Sequence, residues 1–365
     1  MSNQKNRVFV DVHVIQSLPP SCVNRDDTGS PKTAIYGGVR RARVSSQAWK
    51  HAMREMFKQN FDESALGERT KKIVEKVADQ ISNLHNIGKE EAMNAANSII
   101  NRAGVNTNNL EAKALFFMST KQAENLAQMA LMDPLPVKRV VQEALNADRG
   151  VDISLFGRMV ADDPALNTDA AAQVAHAIST HKVENEYDYY TAMDDRTPED
   201  QAGAGMIGTI EFNSSTLYRY ATVAAHDLKK NLGDIDATTK AVKEFIRAFV
   251  CAMPTGKQNT FANGTPPYAV MVAIRRDQPI NLVGAFETPI KIKLGEGGYQ
   301  SKSAETLAIY TQNLYEKFLR KPEQVFVTAM AEELASLGDS LDFSTLLTRT
   351  EEVIHSLLEK DEVLS

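Results

Sequence analysis

Residues 21–58 read SCVNRDDTGSPKTAIYGGVRRARVSSQAWKHAMREMFK, and this stretch governs how the rest of the chain is read. Eight lysines and arginines face three acids there, in a chain whose formal charge is −6. Its first half carries Arg25, Lys32, Arg40, Arg41 and Arg43, with Gly29, Gly37 and Gly38 between them. Glycines of this kind let a backbone approach a ligand closely, so a basic loop is expected. Ser45 or Ser46 then caps a helix, whose free N–H groups favour an anion at that end. Trp49, Met53 and Met56 form an apolar stripe at helical spacing, while Gln47, Lys50, His51, Arg54 and Lys58 share another face. Lys50 and Arg54 stand one turn apart, about 6 Å, close to the step between phosphates on an extended single strand. A solvated basic face is the plain alternative. Loop, cap and stripe arriving together favour a phosphate-binding surface.

Upstream, Val8, Val10, Val12 and Val14 alternate with Phe9, Asp11, His13 and Ile15, which predicts a strand with one apolar face, ended by Leu18-Pro19-Pro20. Downstream, residues 61–147 read as helices throughout: 73–84, 92–100, 110–132 and, after Pro134 and Pro136, 137–145. Residues 150–159 read as a strand and 172–183 as a buried segment. Two strand-like arms flank a polar, glycine-rich tip around 184–213, which predicts a protruding hairpin. Tyr187, Tyr189 and Tyr190 on its first arm either brace the hairpin or offer a surface on which bases stack. A helix over 239–253, the donor-rich segment PTGKQNTFANGTPP at 254–267, a strand over 268–274 and helices near 303–319 and 346–358 complete the chain.

With 365 residues and 43% hydrophobic content the chain can build a substantial core. Its acidic balance excludes blanket DNA binding and confines any nucleic-acid site to a local patch. Cys22 and Cys251 form neither a CxxC nor a disulfide framework, and no apolar run suits a signal peptide or a membrane span. A cytoplasmic protein with no membrane attachment is expected.

Other motifs carry little. Gly203, Gly205 and Gly208 satisfy GxGxxG, but a strand follows where the dinucleotide fold needs a helix. Gly256-Lys257 lacks the remainder of a P-loop, since Cys251 and Gln258 stand where glycine and Ser/Thr are required. His176 and His181 have no further ligand at metal spacing and read as core histidines. Asp26 and Asp27 lie within the basic stretch, so a metal-dependent nuclease built on either is a rival reading, beside ordinary turn capping.

Six segments, residues 24–54, 150–159 (GVDISLFGRM), 175–183 (AHAISTHKV), 191–195 (TAMDD), 212–221 (FNSSTLYRYA) and 254–262 (PTGKQNTFA), together resemble the CasC family. These are the backbone subunits of the type I-E CRISPR surveillance complex, Cascade. The resemblance implies an α+β fold, a modified RNA-recognition-motif (ferredoxin-like) palm with an inserted helical fingers subdomain and a protruding β-hairpin thumb. The parts would be 1–60 as the first part of the palm, 61–147 fingers, 148–183 palm strands, 184–213 thumb, and 214–365 the rest of the palm with C-terminal helices. It implies a non-catalytic, cofactor-free and metal-free subunit. Copies would polymerise along a crRNA guide beside other Cascade subunits, kink it at regular intervals and present it to a target DNA strand. Carried over by position, Arg25, Lys32, Ser45, Gln47, Lys50 and Arg54 would touch the RNA backbone. Met159 would wedge at the kink, and Tyr190 and Thr191 would press on the displaced nucleotide. Arg40 and Arg43 of the basic stretch, with Lys257 and Gln258 of the donor-rich segment, complete the expected RNA contacts. A general single-strand RNA-binding module is the remaining alternative.

Overall fold

The computed structural model describes residues 7–192, 206–293, 295–330 and 332–363. Residues 193–205, expected as the tip of the hairpin and including Gly203, Gly205 and the end of the TAMDD segment, lie outside them.

The chain opens with β1 (Phe9–Ser21), then β2 (Thr33–Tyr36), β3 (Val39–Val44) and α1 (Ser46–Asn60). The stretch expected as a loop therefore contains a hairpin. Gly37 and Gly38 form its turn with φ 59° and 77°, the left-handed geometry that a two-residue connection needs. A Cβ on Gly37 would sit 1.6 Å from the Glu287 carbonyl oxygen. Nor does Pro19-Pro20 end β1. The pairing shifts register between Leu18 and Ser21, beyond Ile15 where the second partner strand stops, so missing N–H groups cost little there.

β4 (Gly67–Thr70) precedes α2 (Ile73–His85) and α3 (Lys89–Ala103), followed by β5 (Thr107–Asn108), β6 (Glu111–Ala112), β7 (Phe116–Ser119), α4 (Thr120–Met129) and α5 (Lys138–Asn146). The long helix expected over 110–132 is thus only its second half. Ser119 and Gln122 cap it reciprocally, a box visible in the sequence as S-x-x-Q that marks the true start. Side chains from α2 to α5, with Phe116, Met118, Val160 and Leu166, share one apolar core.

α6 (Val151–Phe156) replaces the strand expected at 150–159. Val151 to Leu155 are all buried, and a short segment buried on every side has no helical period to betray it. After it come β8 (Ala172–Val174), β9 (Ala177–Ser179), β10 (Glu186–Ala192) and β11 (Met206–Ala224). The remainder is α7 (Ala225–Leu232), α8 (Ile235–Cys251), α9 (Gln258–Phe261), β12 (Ala269–Arg275), α10 (Tyr299–Lys317), β13 (Gln324–Ala329), β14 (Asp339–Ser340) and α11 (Phe343–Val363).

Among the described residues the main sheet runs β14-β13-β12-β1-β11-β9-β3-β2, with β8 and β10 also paired to β11. Its pairings are antiparallel except β13–β14. This is a mixed α/β fold around a central, mostly antiparallel sheet. Both sheet faces are covered. Val8, Val10, Val12 and Val14 pack with Trp49, Met53 and Phe57 of α1, Phe245 and Phe249 of α8, and Leu346 and Ile354 of α11. The opposite face, with Ile15, Tyr218, Tyr220 and Met271, packs on Leu282, Phe286, Ala304 and Leu307. Asp11 and His13, which alternate with the valines of β1, are consequently buried as well.

Candidate nucleic-acid interface

α1 is anchored by Trp49, Met53 and Phe57, each fully buried and worth about 1.5–3 kcal/mol on burial. Phe57 joins the stripe, and Met56 is half-buried against the same core. Ser45 is the cap. Its Oγ accepts from the Ala48 N–H at 3.3 Å, and its own N–H donates to Asn24 Oδ1 at 2.9 Å, tying the helix start to the basic segment. Ser45 is itself only 5% exposed.

The other face of α1 forms one wall of a groove of about 630 Å³. Gln47, Lys50, His51 and Arg54 line it, opposite Phe117, Phe156 and Met159. Lys50 stands 5.5 Å from the Phe156 ring centroid and has no ion-pair partner among the described residues. Partial burial holds its ammonium below the usual lysine range. Arg54 differs. Its Nε donates to Asp152 Oδ2 at 3.1 Å, its Nη2 donates to the Gly67 carbonyl at 3.2 Å, and the guanidinium lies 4.5 Å from the Phe117 ring. It lines the groove, but much of its charge is already neutralised. Lys58, a turn beyond Arg54, does not line the groove and pairs with Glu55 at 2.8 Å.

Met159 is 86% exposed. The reason lies in its neighbours. Arg158 turns inward and donates to the carbonyls of Leu166, Phe117 and Leu145, and Val160 is buried, so extended alternation sends Met159 outward. Phe117, Phe156 and Arg69 also line the groove and were missed from sequence, since nothing local connects them to α1.

Beyond the cap the basic hairpin splits by the pleat. Arg40 is exposed, whereas Arg41 is buried and donates to the carbonyls of Tyr36, Ser179 and Phe286. Arg41 therefore belongs to the scaffold and not to a phosphate surface. Arg43 donates from Nε to the Thr33 carbonyl at 3.3 Å and lies 3.2 Å from His176 Nδ1. His176 is exposed, which corrects its reading as a core histidine. His181 is buried as expected, its Nε2 accepting from the Thr216 N–H. Lys32 and Arg43 line one shallow cleft together. Arg25 is exposed beside Gly256, where a Cβ would come within 2.3 Å of the Val23 carbonyl oxygen. That contact holds Lys257, and α9 with Gln258 after it, against the basic segment. Asp26 Oδ1 accepts from Thr28 N, Thr28 Oγ1 and Ser30 N, so it closes its own turn, and the Thr28 bond foremost keeps its carboxyl below the usual range.

On the hairpin, the register pairs Tyr190 with Gly208, Tyr189 with Thr209 and Thr191 with Ile207. Tyr187, Tyr189 and Thr191 share one face and Tyr190 takes the other. The three tyrosines thus make no common stacking surface, and Tyr190 and Thr191 point to opposite sides. All three rings are exposed, and the Tyr190 ring lies across Gly208, where a Cβ would meet it at 2.4 Å.

A profile of CT1975-like proteins matches residues 10–351. This chain belongs to that family, of CasC type. Among solved structures, a chain of a "CRISPR RNA-guided surveillance complex, pre-nicking" is similar at 34% identity. The match covers 95% of this chain and 100% of that one, with a TM-score of 0.84. A chain of a second "CRISPR RNA-guided surveillance complex" is 29% identical, with 94% and 99% covered and a TM-score of 0.73. A comparison with curated proteins gives no match. No helix among the described residues is long and apolar enough to cross a membrane.

Proposed function

We propose that this chain is a crRNA-binding backbone subunit of a CRISPR surveillance complex of the Cascade type. Copies of it line up along one guide and present the bases to a target DNA strand. The observation that carries the reading is the groove of α1. Lys50, a cation beside an aromatic floor with no ion-pair partner among the described residues, shares that groove with Met159, a methionine that the fold forces into the open. Such a surface grips a sugar–phosphate chain without consulting its sequence, as a subunit serving any guide must. Pairing between guide and target then supplies specificity.

In this reading the main sheet with α1 is the palm, the core of α2 to α5 the fingers, and the β10–β11 hairpin the thumb. Arg25, Lys32, Arg40, Arg43, Gln47, Lys50, Lys257 and Gln258 hold the backbone, with Arg54 chiefly shaping the groove and Ser45 fixing the start of α1. Met159 opens the stack at a kink, and Tyr190 meets the displaced nucleotide. The subunit's role is structural. Asp26 is occupied in its own turn, which speaks against the nuclease reading. Cleavage of complementary RNA at regular intervals with Mg²⁺, lost in Asp26→Ala, would restore it.

The test is salt dependence. Lys50→Ala should weaken binding to every RNA sequence alike and flatten the slope of log K against log[salt] by about one unit. An unchanged slope, or a loss confined to some sequences, contradicts the assignment. RNA recovered with the assembled protein should be of uniform length; random fragments would favour a general single-strand binder.

A further inference from the structure

The sheet edge brings together three groups from separate parts of the chain. Arg43 lies on β3, and β3 pairs with β9 through Arg43–Ile178 and Val44–Ala177, which sets His176, the residue before β9, beside it. Lys32 precedes β2, and the Arg43 N–H donates to its carbonyl at 2.9 Å. Backbone ladders hold the arrangement, so it is preorganised. Neither Lys32 nor Arg43 has a carboxylate partner among the described residues. Both bear on the imidazole, and no acid does among the described residues. Because a guanidinium can only donate, His176 Nδ1 accepts from Arg43 and the ring hydrogen sits on Nε2, toward solvent. Two uncompensated cations beside an open imidazole are a poor arrangement for an empty surface and a good one for an anion.

We propose that Lys32, Arg43 and His176 form a phosphate subsite, filled by one backbone phosphate of bound RNA, and that filling it draws a proton from solvent onto His176. The proposal rests on the RNA-binding reading above. Without an anion, partial burial and then the charges of Arg43 and Lys32 hold the imidazole below the usual histidine range. A phosphate reverses the balance. Protonation turns Nδ1 into a donor, and the Arg43 N–H that it had accepted turns to the phosphate.

RNA affinity of the full chain should therefore strengthen as pH falls from 8 to 5.5 at fixed ionic strength. The gain is at most about tenfold per pH unit for one proton taken up. His176→Gln should flatten this profile. A separate arm titrates inorganic phosphate into the protein and follows the His176 ring signals by NMR, assigned by their loss in His176→Gln; the ring pKa should rise. Should RNA bind but His176→Gln keep the wild-type profile, or should affinity fall on acidification, the subsite is overturned while the RNA-binding reading stands. Should no RNA bind at any pH, that reading falls. The phosphate arm then decides: a rising His176 pKa supports an anion site, and an unmoved one ends the proposal.

Discussion

Two cations one turn apart on α1 have different duties. Lys50 has no ion-pair partner among the described residues, while Arg54 is bonded to Asp152, whose side chain is 3% exposed. Burial raises the Asp152 carboxyl pKa, against the Gly67 N–H and Arg54, which both favour the ionised form. Arg54→Ala would leave that buried carboxylate short of a partner at a cost of about 1–3 kcal/mol. Lys50→Ala should stay within about 0.5 kcal/mol of the parent. Urea midpoints of the two variants check this, and equal midpoints would show Arg54 to be dispensable to the fold. The spacing of Lys50 and Arg54 was legible in the sequence. Asp152, far along the chain, was not, because ion pairing across α6 and α1 has no local signature.

At the scale of elements, the second arm of the hairpin is the start of a 19-residue strand, β11, that continues into the main sheet. The sheet therefore orients the hairpin. Gly208 leaves room for the Tyr190 ring, so Gly208→Ala must displace the ring and should mimic Tyr190→Ala. Each is expected to weaken the hold on a displaced nucleotide by about 1–3 kcal/mol. The double variant should cost no more than one change alone, since both act through one contact. Nuclease footprints of the guide in the assembled complex would read this as lost periodic protection. Additive effects would separate glycine from ring. α6 teaches the converse lesson. Val151, Ile153 and Leu155 alternate like a strand, yet they belong to a helix buried on every side, where apolar periodicity carries no signal.

Across the whole molecule, covering both faces of β1 puts two titratable groups in the interior with opposite consequences. Burial lowers the His13 pKa from 6.5 to about 3, so the unfolded chain binds a proton through that window and stability falls as pH drops from 6.5 towards 3. Burial raises the Asp11 pKa from 3.8 to about 6, so the folded chain holds the extra proton there and stability falls as pH rises from 3.8 to 6. The two offset between pH 4 and 6. His13→Asn removes the first and leaves the second, so its urea midpoint should rise from pH 7 to pH 4.5 relative to the parent's change. An identical pH response in both proteins would show that His13 is not buried neutral.

What the amino-acid order determined by itself was local. The cap of α1, its apolar stripe, the alternation of β1, the cationic segment and the hairpin arms all follow from contacts between residues a few positions apart. Tertiary structure alone decided which cations remain free. Pleating turned Arg41 inward and left Arg40 outside, the fold gave Arg54 a distant carboxylate and Lys50 none, and strand pairing set His176 against Arg43. Charge is written in the sequence, but its compensation depends on neighbours through space, and those exist only once the sheet has closed.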